Sequence, residues 1–316
     1  MMSHEPNSEY VDQAIMVLND TLIAPSDAAT QIASLCAAQV ASGGSASEPG
    51  DTPGLGDFLW FFWTALFDAV ENDDALHSRA VEILKQLSAL VGSGPDVDAD
   101  WRVWGERFAW RGLPLFGPVA REEYNGPRVR LNQRPIWSSD WTPEDYVSLC
   151  LPSPPSPGDA RVTAFYLAAR RWVRYNAFCA LLTGWPNSSF NGLNFALWAM
   201  RDALEYAPNS VYFTSNQSLA PRVLAIECAA AWVLHAGERM WASREIMGPN
   251  GNPDWPDNMG VPGKGGDLWT GVDGYDPARW QLWKKGFEDV VADGGTVERV
   301  RRIAKAAVEA MTLAEG

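Results

Sequence analysis

The 316-residue chain is poor in the residues that most often bind metals, with three histidines and four cysteines. Cys36, Cys150, Cys179 and Cys228 form no C-x-x-C pair and no short regular spacing. They read as buried thiols in a reducing compartment rather than as a disulfide framework. None of His4, His77 and His235 lies within a few residues of another histidine or a cysteine, so no structural zinc site is expected. Basic charge is also short: 25 Lys and Arg stand against 39 Asp and Glu, a net charge of −14. Binding a phosphate backbone or an anionic lipid surface requires the opposite excess, so neither nucleic acid nor membrane is expected as a partner. The most apolar run, 58–67, spans about ten residues where a bilayer-spanning helix needs roughly 20. The first nine residues lack a basic segment leading into an apolar one, so no secretory signal is expected and the protein reads as cytoplasmic. There is no G-x-S-x-G, no G-x-x-x-x-G-K-[ST], no H-E-x-x-H and no G-x-G-x-x-G set between strand and helix. Hydrolase-elbow, NTP-hydrolysing and nicotinamide chemistry are therefore disfavoured, and no cofactor is expected.

What the chain does have is 47% hydrophobic residues and sixteen tryptophans, enough to bury a sizeable core. Apolar residues recur at helical spacing over 8–22, and over 26–42 behind a Ser26 cap. The stretch 43–54, rich in Gly, Ser and Pro, reads as a surface linker. Residues 56–72 are apolar nearly all round, which predicts a helix covered by several neighbours. Asp73 or Asp74 caps the next helix, over 74–91, which Gly92-Ser93-Gly94-Pro95 stops. Between 100 and 158 turn formers cluster, leaving short helices at 118–124 and 143–149; 128–137 has room for a strand pair that this reading does not adopt. Helices return over 159–183 with an Asp159 cap and a Gly184 stop, over 193–206, and from a Ser218 cap with Pro221 just inside to Met247. Residues 248–274 hold eight glycines and read as a loop or lid. Helices over 277–292 and 296–315 close the chain. The expected fold is all-α, about ten helices in stacked αα-hairpins, either an irregular helical-repeat array or a single globule. The expected organisation is an N-terminal hairpin over 1–42, a main domain over 55–247, the 248–274 loop, and C-terminal helices over 275–316.

Several groups of residues are candidates for chemistry. Asp73-Asp74 with His77 gives D-D-x-x-H at a helix start, where an aspartate and the histidine fall within one turn for proton transfer; aspartates also cap helices there without any other function. Arg170, Arg171, Arg174 and Asn176 surround Trp172, either as partners of the abundant carboxylates or as anion binders. His235 follows an apolar helix segment, with Glu238 and Arg239 one turn on, and suits a pocket acid or base. Glu227 has only alanines three and four residues on; if buried, it must pair with an arginine from elsewhere.

Several local patterns run together. Leu59-Trp60 leads through the aromatic helix to His77. Trp110-Arg111-Gly112-Leu113-Pro114-Leu115-Phe116 is followed by Arg121-Glu122-Glu123-Tyr124-Asn125. Trp172-Val173-Arg174-Tyr175-Asn176-Ala177-Phe178-Cys179-Ala180 and a helix end at Ala203-Leu204-Glu205 complete the set. Over about 55–245 the chain resembles a fungal family of unknown function sometimes labelled OpdG-like. That resemblance implies a cytosolic, all-helical protein, some of whose relatives sit in gene clusters for specialised metabolites. The expected function is a cofactor-independent enzyme or binding protein for a small, largely apolar metabolite, with cyclisation, isomerisation or dehydration in a Trp-lined pocket. In that reading Asp74, His77 and His235 are catalytic, and Trp60, Trp63, Arg174, Asn176 and Arg239 bind substrate. The alternative is a non-catalytic helical scaffold for a protein partner.

Overall fold

The computed structural model describes residues 8–90, 100–132, 134–156, 158–214 and 220–316. Among these the all-α expectation holds, with eleven α-helices and two short two-stranded hairpins. The expected stop at Gly92-Ser93-Gly94-Pro95 and the Ser218 cap lie outside the described residues. The chain divides into two compact units: residues up to Tyr124 with Asn187–Asn191, and Asn125–Pro186 with Gly192–Gly316.

The first unit holds α1 (Ser8–Asn19), α2 (Pro25–Ser42), α3 (Leu55–Asn72), α4 (His77–Ala89), the hairpin of β1 (Arg102–Val103) and β2 (Glu106–Arg107), and α5 (Phe116–Glu123). Helix α2 opens at Pro25 with Ala24 as an uncapped N-cap. The expected Ser26 cap is displaced because a proline's fixed φ already suits the first helical position. Helix α1 ends at Asn19, and Arg79 of α4 donates to the carbonyls of Val17, Leu18 and Ile23 at 2.7 to 3.2 Å. A guanidinium there satisfies carbonyls that the helix end leaves without partners.

Helix α3 buries Phe58, Phe62, Trp63 and Phe67 almost completely. Trp63 Nε1 donates to the Pro114 carbonyl at 2.7 Å, and Phe116 packs edge-on against Trp63 with centroids 5.3 Å apart. Each such ring contributes roughly 1.5–3 kcal/mol of burial, which offsets unfavourable backbone at Leu113 (φ 45°) and Leu115 (φ 64°). The Trp110–Phe116 motif is thus the wrapping of the α3 aromatic face.

The second unit begins with the hairpin of β3 (Val129–Leu131) and β4 (Arg134–Ile136), paired from Val129 opposite Ile136. The strand pair that sequence periodicity did not favour forms because a short hairpin lays Val129 against α7. Then follow α6 (Pro143–Leu149), α7 (Ala160–Gly184), α8 (Leu193–Leu204), α9 (Arg222–Ala242), α10 (Pro277–Ala292) and α11 (Glu298–Glu315). Helix α9 is packed between α7, α8 and α11, and α10 lies along α11. Its small residues, Ala225, Ala229, Ala230 and Ala236, permit neighbours on several sides. Asp159 caps α7 as expected, accepting from the Arg161 and Val162 amides at 3.0 Å. Helix α9 ends at Ala242 rather than Met247, since Met247 N–H turns to the Asp273 carbonyl instead.

That bond is one of several that fasten the glycine-rich stretch. Trp198 Nε1 donates to Pro262 O at 2.9 Å, and Arg279 Nη1 donates to the carbonyls of Gly263 and Gly274 at 2.8 and 2.9 Å. Gly266 N–H reaches Glu205 Oε2 at 2.8 Å. Glu205 and Arg279 are both fully buried, paired through Nε to Oε1 at 2.7 Å and Nη2 to Oε2 at 3.0 Å, with Trp283 Nε1 adding a fourth donor to the carboxylate at 2.6 Å. The Ala203-Leu204-Glu205 motif therefore ends α8 in the carboxylate that anchors this stretch.

Candidate functional site

The residues singled out from sequence fall into both units. In the first, Asp73 accepts from the Ala75 amide at 3.0 Å, capping a short 3₁₀ turn that runs into α4, while Asp74 is exposed. His77 is buried, with Nε2 2.9 Å from the Val70 carbonyl of α3. A carbonyl only accepts, so Nε2 carries the proton. Trp60 is part-exposed and lies 6.4 Å from Trp104, whereas Trp63 is fully buried.

In the second unit, Asn176 is fully buried; its Nδ2 donates to Trp172 O at 2.9 Å and its Oδ1 accepts from Trp232 Nε1 at 2.8 Å. That bond ties α7 to α9 through the indole. Arg239 Nη1 donates to the Thr183 carbonyl at 2.7 Å, at the end of α7. His235 sits on the exposed face of α9 beside the exposed Leu234, although the preceding alanines are buried. Arg174 is part-exposed.

A different cluster of titratable groups gathers at the end of α8. Arg201 Nε lies 3.0 Å from Asp202 Oδ1, and the Tyr212 hydroxyl hydrogen-bonds Asp202. The Tyr212 ring stacks on Tyr206 with centroids 3.7 Å apart and planes within 8°, and Phe213 sits edge-on to both. Burial pushes the Asp202 carboxyl above the usual range for aspartate, and the Arg201 charge only partly opposes it. Burial likewise pushes both phenols up, Tyr212 further than Tyr206. Tyr206 keeps a part-exposed ring while Tyr212 is buried. Gly266 passes so near that an added Cβ would meet Tyr206 Cε2 at 3.0 Å and Glu205 O at 2.6 Å. The result is an aromatic face open on one side, backed by a hydroxyl–carboxyl pair able to move a proton and by a fixed cation. Sequence reasoning missed Arg201, Asp202, Tyr206, Tyr212 and Phe213. Their one signal is Tyr206 and Tyr212-Phe213 placed on either side of the Pro208-Asn209-Ser210 turn.

Among the described residues, no three His, Cys, Asp or Glu side chains converge as a metal site would require, and no helix is long and apolar enough to cross a membrane. The fold and this cluster define an all-α protein with an aromatic, acid-bearing centre in its second unit. Residues 63–287 match the family described as a protein of unknown function (DUF3632), and the chain belongs to that family. No curated protein matches the chain, and no solved structure does.

Proposed function

We propose that the protein is a cofactor-independent enzyme or binding protein for a small, largely apolar specialised metabolite, held at Tyr206 and Tyr212. The observation that carries this reading is the Tyr206–Tyr212 stack with its part-exposed ring, backed by the buried Asp202 and the part-exposed Arg201 paired with it. An aromatic face accepts a flat or alicyclic body and stabilises developing positive charge. A carboxyl held above its ordinary range remains a proton donor closer to neutral pH than a solvated aspartate does. Isomerisation, dehydration and cyclisation are the reaction classes that need these elements and nothing more.

The test is to equilibrate the purified protein with a fungal metabolite extract and follow thermal shift and tryptophan fluorescence. Retained and altered compounds are then identified by mass spectrometry. Tyr206→Ala is expected to lose retention, and Asp202→Asn to retain the compound without converting it. Trp60, Asp74, Arg174, His235 and Arg239 are the sequence-expected positions with solvent access to vary next. If no compound is retained, or both tyrosine-cluster variants match the wild type, the reading is wrong.

A further inference from the structure

A second charged centre lies in the same unit, built by three helices and the chain after α6. Glu227 of α9 stands between Arg170 of α7 and Arg299 of α11. Arg170 Nη1 is 2.5 Å from Oε2 and Arg299 Nη2 is 2.5 Å from Oε1. Arg299 Nη1 also donates to the carbonyls of Leu151 and Pro152 at 2.9 and 3.2 Å. The Glu227 side chain is 3% exposed, that of Arg170 16% and that of Arg299 21%.

The arithmetic of this centre does not close. Two guanidinium groups face one carboxylate, so a unit of positive charge is left in a largely desolvated place, which is costly. Both Glu227 oxygens are already engaged. Arg170 Nε and Nη2, and Arg299 Nε, are shielded from solvent and have no acceptor. Cys150, a nearby titratable neighbour, does not supply the missing charge, because burial, and then Glu227, push its thiol up to about 11. The unpartnered atoms of Arg170 are also not random. With Nη1 given to Glu227, Nε and Nη2 are the two parallel donors of the guanidinium fork, the edge that accepts a carboxylate or phosphate in bidentate fashion.

We infer that Arg170 and Arg299 form a binding site for a compact oxyanion headgroup, a phosphate or a carboxylate, with the Arg170 Nε–Nη2 fork as its principal contact. Glu227 orients both arginines and, by competing for them, sets the affinity. The part-exposed Tyr166, one turn back on α7, places its ring 5.8 Å from the Arg170 guanidinium. An anion enters by a rotamer change of that ring or of Arg170 itself. This inference is independent of the tyrosine cluster and stands or falls without it.

Calorimetric titration and thermal shift with sodium phosphate and with octanoate, each against sodium chloride at matched ionic strength, test it. Wild-type protein is expected to show saturable binding of at least one oxyanion beyond the chloride control. Phosphate alone points to a free or esterified phosphate, octanoate alone to a carboxylate-bearing metabolite. Arg170→Gln is expected to weaken binding about tenfold or more, the worth of a hydrogen bond to a charged group. Lys285→Gln, an exposed cation paired with Asp289, leaves binding unchanged. Where Arg170→Gln does not fold, Glu227→Gln decides: it removes the competing carboxylate and tightens the oxyanion, whereas a purely structural ion pair gives destabilisation with no gain in binding. Stabilisation no greater than chloride gives, binding unchanged in Arg170→Gln, or binding no tighter in Glu227→Gln overturns the inference.

Discussion

Glu205 and Arg279 show how much rests on single buried charges. Each is fully buried, and the pair together takes donors from Trp283 and Gly266 and gives donors to Gly263 and Gly274. Arg279→Met leaves the carboxylate without its counter-charge and is expected to cost about 3–5 kcal/mol in urea denaturation. The double variant Glu205→Gln/Arg279→Met is expected to recover part of that loss, because no uncompensated charge remains. Asp145 gives a pH signature instead. It caps α6 in a capping box with Thr142 and takes both Arg161 Nε and Nη2, at 2.7 and 2.6 Å. The Arg161 hydrogen bond holds its carboxyl below the usual range. A depressed folded-state pKa adds stability above the unfolded value, and that stability is lost as pH falls through the folded one. The stability gap between wild type and Asp145→Asn should therefore be constant above about pH 5 and close below about pH 4. At this scale the sequence was informative where the partner is local, as with the Asp159 cap. It also foretold that a buried Glu227 needs an arginine. It did not reveal that Arg299, 72 residues on, is one of them, because chain separation erases the pairing signal.

Helices meet closely where side chains shrink, and the contact of α7 with α9 is the clearest case. The Gly184 Cα lies against the His235 carbonyl, so that an added Cβ would sit well inside van der Waals contact distance of its oxygen. Read from sequence, Gly184 was a helix stop; in the structure it is the last residue of α7, and Trp185 is the cap. Its use is close backbone approach, which also sets Arg239 against the Thr183 carbonyl. Gly184→Ala is expected to cost about 1–3 kcal/mol by overpacking, read as a lower urea midpoint with the slope unchanged. Helical periodicity placed α3, α6 and α10 well, since their burial patterns follow from local spacing. The β1–β2 hairpin goes unread in the sequence, and a strand pair over 128–137 is weighed but not adopted, for a physical reason. Their strands are two or three residues long, too short to show alternation, and β1–β2 is held by Asp51 accepting from the Trp104 and Gly105 amides at 2.9 Å. That clamp keeps Trp104 at φ 51°, a conformation a propensity argument would not assign to tryptophan.

The whole molecule carries fourteen more acidic than basic side chains, and this shapes what it meets in solution. Self-repulsion of like charges opposes compaction, and salt screens it, with a Debye length of about 30 Å at 0.01 M and about 8 Å at 0.15 M. The melting temperature is expected to rise over that range of sodium chloride and then flatten. A melting temperature that falls with added chloride would show that attractive pairs such as Lys284–Glu315 and Arg161–Asp145 outweigh the net repulsion. This background also governs the anion site. A chain so acidic repels oxyanions at long range, so a phosphate or carboxylate that binds Arg170 and Arg299 does so through short-range, bidentate geometry, against the overall field. Its apparent affinity should therefore vary little, or even improve, as chloride rises from 0.01 to 0.15 M, because screening removes the repulsion felt on approach before it weakens contacts that are largely desolvated. A polyanion held by a diffuse basic face loses affinity steeply over the same interval. The sign of that salt slope, measured by titration, separates a built pocket from adventitious attraction.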